Sequence, residues 1–139
     1  MTEEMNFFQS IFMFKKSAPA NLSREEARLA VSLKREAQNL AAIAEEEMRN
    51  GRMARSLAFD AADKEKMRIF AEIAIWHNSR AAEKYRKSAE RFEEAGKIQI
   101  TNRKACHSMA KKMKRRAAES AAAVDALNIF AERNLTEEK

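Results

Sequence analysis

From Ala20 onward the chain contains no proline, and only two glycines, Gly51 and Gly96, interrupt it. Proline and glycine are the strongest punctuation marks in a sequence, so a chain nearly free of both makes few turns. A sheet protein needs many turns and a supply of β-branched residues, and neither is present. The expected fold class is all-α, built from a few long helices. A length of 139 residues allows one domain with a modest core. Hydrophobic residues make up 45% of the chain, but many are alanine, and 35% of residues are charged. The apolar faces of these helices should therefore be narrow.

The net charge of +6 points to an acidic partner: a phospholipid surface, a nucleic acid or an acidic protein segment. Because 21 acidic residues are interspersed, plain solvation of long helix faces is the alternative. The single cysteine, Cys106, excludes an intramolecular disulfide and fits a reducing compartment. No apolar run approaches the ~20 residues of a membrane-spanning helix. The start, Met-Thr-Glu-Glu, is acidic where a secretory signal is basic, so no signal peptide is expected. The expected location is cytoplasmic, with peripheral access to a membrane surface.

Residues 1–20 read as a separate segment. Within MNFFQSIFMFKK (Met5 to Lys16), Phe7, Phe8, Ile11, Phe12 and Phe14 join Met5 on roughly one half of a helical wheel. Asn6, Gln9 and Ser10 share the other half with Met13, and Lys15 and Lys16 follow at once. An aromatic face ending in paired lysines suits a helix lying in a lipid interface, where apolar burial is supplemented by attraction to anionic headgroups. Docking of this helix on the chain's own core is the alternative. Ser17-Ala18-Pro19-Ala20 then breaks the pattern as a short linker.

A core of residues 21–133 follows. Ser23-Arg24-Glu25-Glu26 is a capping box, with Ser23 as N-cap and Glu26 at the third helical position. Ala30, Leu33, Ala37, Leu40, Ala44 and Met48 form one narrow stripe. The end of this first helix has two readings. Asn50-Gly51 has the form of a C-cap and turn. Yet the pattern resumes through Met53, Leu57 and Phe59, and Asp60 to Lys64 offers a second turn site.

A second helix is expected from about Lys64 past Gly96, as far as Lys112 on the pattern. Met67, Phe70, Ala74, Ala81, Tyr85, Ala89, Phe92 and Ala95 trace its apolar face. So thin a stripe buries little area per turn. At ~25 cal/mol per Å² a two-helix contact of this kind is marginal for a lone monomer, which argues for association. Ile69, Ile73 and Trp76 lie off the main stripe and are candidates for contact with another subunit, ordinary core packing being the alternative. Thr101-Asn102 marks a point where the helix can loosen. In the basic block RKACHSMAKKMKRR, Cys106, Ala110 and Met113 continue a stripe that Ala117, Ala121 and Val124 extend. Arg103, Lys104, Lys111, Lys112, Lys114, Arg115 and Arg116 crowd the rest of that block and are, with Lys15 and Lys16, candidates to face a membrane. Ala117 to Arg133 reads as a weaker helix, and 134–139 as a frayed acidic end.

No catalytic, cofactor or metal site is expected, and the chain does not read as an enzyme. His77 and His107 lack a carboxylate or histidine at the spacing of a helical metal site such as Glu-x-x-His. Cys106 and His107 are adjacent, so on a helix they point about 100° apart and form no local nucleophile–base pair. Two isolated glycines cannot build a phosphate-binding loop.

The run Arg68-Ile69-Phe70-Ala71-Glu72-Ile73-Ala74-Ile75 resembles a signature in the second helix of ESCRT-III proteins, in the type-1 branch of the charged multivesicular body proteins. Arg86, Ser88-Ala89, Ala95, Lys97, Ile98 and Gln99 fall without a gap on like residues of that helix. Ser56-Leu57-Ala58-Phe59-Asp60-Ala61-Ala62-Asp63 resembles the segment that closes the family's hairpin. The resemblance covers about residues 30 to 100 and weakens towards 130. It departs at Ile73 and Trp76, where the family usually has Asn and Arg, and at Glu90-Arg91-Phe92, where it has Arg-Val-Asp.

The resemblance implies a long antiparallel helical hairpin with shorter C-terminal helices, the first helix passing through Gly51 and turning at Asp60 to Lys64. It implies subunits that polymerise with themselves and other ESCRT-III-type chains into filaments that bind and reshape endosomal or other anionic membranes, as in multivesicular body sorting. Family members also carry an acidic C-terminal region that restrains assembly, and a last helix that recruits an AAA ATPase through its MIT domain. Leu127 to Leu135 does not match that recruiting motif well. The ATPase is expected as a partner only if a C-terminal region is missing from this chain, and in that case spontaneous assembly is expected. The rival readings are a basic nucleic-acid-binding protein using Arg103 to Arg116, which leaves the Phe-rich segment unexplained, and a helical adaptor without a membrane role.

Overall fold

A computed structural model describes residues 23–135. They form α1 (Arg24–Asp60), α2 (Lys64–Ile98), a short 3-10 turn (Ile100–Asn102) and α3 (Arg103–Leu135). The described residues contain no strand. The all-α chain of few long helices expected from the lack of breakers, and the hairpin that the resemblance implies, are what form, with one C-terminal helix of 33 residues in place of several shorter ones.

The start of α1 is the capping box. Glu26 N–H donates to Ser23 Oγ at 3.0 Å, and Ser23 N–H donates back to Glu26 Oε1 at 2.9 Å. The helix runs through Gly51 and ends at Asp60, so Asn50-Gly51 is not a cap. Asp63 then caps α2, its Oδ1 accepting from Lys66 N–H at 2.8 Å.

Two boundaries differ from the periodic reading. The second helix stops at Ile98, well short of Lys112, because Gln99 leaves the helical region at φ −105°, ψ 87° and a 3-10 turn follows. Beyond it, the basic block and the stretch read as a weaker helix are one helix of 33 residues. No breaker lies between Arg103 and Leu135, and the buried Leu127 and Leu135 hold its far end. Leu135 was expected in a frayed tail, yet its carbonyl accepts from Arg68 Nη2 at 3.5 Å.

The helices contribute to two compact units: residues 23–40 with Arg86–Lys114, and Ala41–Tyr85 with 115–135. In the first, the α1 and α2 segments run antiparallel. Ser88 Oγ donates to the Ala37 carbonyl at 2.7 Å, and Arg91 Nε reaches Glu36 at 3.1 Å. Phe92, Cys106 and Met113 fill this core among Ala30, Ala37, Ala89, Ala95 and Ala110. A Cβ on Gly96 would stand 3.1 Å from Cys106 Cβ, which shows how closely α2 and α3 approach there.

In the second unit the α1 and α2 segments again run antiparallel, closed by the turn at 61–63. Ala54, Ala74 and Leu127 bring the three helices together, with Ile75 packed against them. Tyr85 and Leu127 are the largest side chains buried here; most of the rest are alanines. Counting both units, thirteen of the nineteen buried hydrophobic residues are alanine, so the helices approach closely around a few large side chains such as Tyr85, Phe92 and Leu127.

Candidate functional site

With an interior mostly of alanine, many of the large apolar side chains lie outside. Ile69, Ile73 and Trp76 are 45%, 40% and 55% exposed, and their spacing of four and three puts them in one row on α2. In the same unit Met53 and Leu57, four apart on α1, are also exposed. Phe59 is half exposed, with its ring edge-on to Phe130 at 4.9 Å and Arg55 above it.

Trp76 is held in place from two sides. The Arg80 guanidinium lies 4.8 Å from its ring centroid, and the His77 ring meets it edge-on at 4.9 Å. Both neighbours are tied to one carboxylate on α1: His77 Nδ1 lies 2.6 Å from Glu47 Oε1, and Arg80 Nε donates to Glu47 Oε2 at 2.9 Å. Burial pushes the Glu47 carboxyl up, but the hydrogen bonds from His77 and Arg80 outweigh it and hold the group below its ordinary value. Ionised Glu47 can only accept, so His77 donates through Nδ1–H.

His77 has no carboxylate three or four residues away on its own helix, and its partner lies across the hairpin, where spacing along one helix does not show it. Glu47 and His77 each lie fifteen residues from Ala62, on either side of the turn. Once the hairpin turn is placed there, antiparallel packing brings such equidistant positions level, and that was the available signal.

The basic block of α3 separates into tied and free groups. Lys114 Nζ is 2.6 Å from Glu93 Oε2, and Arg116 Nη1 is 3.9 Å from Glu45 Oε2. Arg103 Nε donates to the Gly96 carbonyl at 3.4 Å. Lys104, Lys111, Lys112 and Arg115 are exposed and make no ion pair among the described residues. No Asp or Glu occurs from Arg103 to Arg116, so the acidic residues of this helix all lie beyond the basic block.

Cys106 is buried and His107 exposed, so the neighbours face different surroundings. Burial pushes the Cys106 thiol up, with the Lys34 charge opposing, and a protonated buried thiol is a poor nucleophile. Among the described residues no three His, Cys, Asp or Glu side chains cluster as metal ligands would, and no helix is long and apolar enough to cross a membrane. The proposed insertion residues Phe7, Phe8, Ile11, Phe12 and Phe14, with Lys15 and Lys16, lie outside the described residues.

No protein family, curated protein or solved structure matches this chain.

Proposed function

We propose that this chain is a membrane-remodelling subunit of ESCRT-III type, which polymerises side by side into filaments on acidic membranes. The observation that carries the reading is the distribution of apolar residues, mostly alanine inside and many of the large ones outside. A monomer whose interior is mostly alanine and which half-exposes Ile69, Ile73 and Trp76 in one row leaves hydrophobic stabilisation unused there. A neighbouring subunit covers such a row. The free cations of α3 supply attraction to an anionic surface, each worth ~1 kcal/mol near it. The likeness of Arg68 to Ile75 and of Ser56 to Asp63 to ESCRT-III sequences supports the same reading.

Electron microscopy of the chain mixed with anionic liposomes, beside a variant lacking residues 1–20, tests it. Ordered coats or tubules that weaken without residues 1–20 are expected. Bare liposomes with dispersed protein would sink the membrane reading.

One observation favours a second reading: the acid-free stretch from Arg103 to Arg116 is also suited to the phosphates of a nucleic acid. Binding of an RNA or DNA oligomer with a steep salt dependence, and none to liposomes, is the result that would select it.

A further inference from the structure

A shallow groove in the first unit lies where α3 leaves the 3-10 turn, lined by Ile100, Arg103, Lys104, His107, Ser108 and Lys111. Positions 103, 107 and 111 form one helical row and 104 and 108 the next, successive members standing about 6 Å apart along the helix. No carboxylate lines the groove. Glu93, on the adjacent stretch of α2, is engaged by Lys114. Lys104 and Lys111 make no ion pair among the described residues. The bond from Arg103 Nε to Gly96 steadies its guanidinium and leaves the terminal N–H groups for another acceptor. Ile100, beside these cations, is 63% exposed.

We infer that this groove receives the headgroup of a lipid bearing phosphate monoesters, of the polyphosphoinositide class. The inference rests on the membrane reading and deepens it by naming the lipid. Arg103, Lys104 and Lys111 bind the phosphates, Ser108 donates a hydroxyl, and Ile100 enters the interface beside the headgroup. A phosphate monoester carries about −1.5 to −2 charges and three acceptor oxygens near neutral pH. Several such groups on one headgroup match donors gathered within two helical turns, whereas a singly charged diester leaves most of them unsatisfied. Ile100 decides between sources. A phosphate free in water gives it nothing to bury against, and a bilayer interface does.

The test is flotation of the full chain with phosphatidylcholine vesicles carrying either phosphatidylserine or a bisphosphorylated phosphoinositide at matched surface charge. Wild type is expected to prefer the phosphoinositide. K104A/K111A should lose that preference, with binding reduced about fivefold per lysine. K112A, at an exposed lysine outside the groove, should keep it. I100S should weaken vesicle binding while leaving binding of soluble inositol hexakisphosphate unchanged.

Equal binding at matched charge, or an undiminished preference in K104A/K111A, overturns the headgroup site and leaves the membrane reading standing. Wild type that floats with neither vesicle overturns both. Full vesicle binding by I100S overturns the entry of Ile100 into the interface, and hexakisphosphate bound by a wild type that floats with neither vesicle assigns the groove to a free phosphate. Tighter binding of an RNA oligomer than of either vesicle at the same salt overturns the lipid as well.

Discussion

Gly51 stands in the middle of α1, where glycine costs about 1 kcal/mol relative to alanine. Neither glycine has a positive φ, so backbone freedom is not the reason for it. A Cβ at this position would lie 2.7 Å from Asn78 Nδ2. That amide is buried and donates to the Ala74 carbonyl at 2.9 Å, so it cannot step aside without losing its acceptor. The small residue and the buried amide form a matched pair that sets how closely the two helices approach. G51A alone should lower stability by about 1 kcal/mol, overpacking and the lost bond outweighing the gain in helix propensity. In an N78A background the same change should stabilise by about 1 kcal/mol, since only the propensity gain is left. Urea unfolding of the four chains checks this, and equal effects in both backgrounds would show that the contact does not couple them.

At the scale of elements, the clasp of Glu47 with His77 and Arg80 joins α1 to α2. Its carboxylate is held below its ordinary pKa, so its contribution to stability is fully present above about pH 4.5 and is lost as the pH falls through the depressed value. E47Q should cost about 1–2 kcal/mol at pH 7, a modest figure because Arg80 is 40% exposed and water screens that side of the pair. The gap between wild type and E47Q should then narrow as the pH is lowered below about 4.5 and the carboxyl takes up its proton. Denaturation series at each pH measure it, and a gap that does not change with pH would remove the ionised carboxylate from the explanation.

Much of the element structure was legible in the sequence. Ala30, Ala37 and Ala44 on α1, Tyr85, Ala89, Phe92 and Ala95 on α2, and Cys106, Ala110, Met113 and Ala117 on α3 were placed on apolar faces by spacing alone, and all are buried. The capping box at Ser23 was legible because both partners lie within four residues. Thr101-Asn102 marks a weak point in the sequence, but the end of the helix at Ile98 is not legible, since Gln99 and Ile100 carry no strong break signal. The polar interior was hidden. Lys34, Asn78, Ser88, Gln99 and Asn102 are buried, and nothing local marks them out. Ser88 is satisfied by a carbonyl 51 residues away, and His77 by a carboxylate 30 residues away. Such pairings become readable only once the turn has set the register.

Across the described chain, the alanine-rich interior makes the helices close neighbours and leaves Ile69, Ile73 and Trp76 to whatever lies outside. The Arg80 and His77 contacts on Trp76 fix that ring while it is still exposed, so ordering it adds little further entropic cost when a neighbour arrives. The most direct test of this division of labour is electron microscopy of anionic vesicles with wild type and with I69S/I73S/W76S, circular dichroism confirming equal helix content. Filaments or coats with wild type, and vesicles that bind the triple variant without ordered assembly, are the predicted result. Ordered coats from the triple variant indistinguishable from wild type would contradict it.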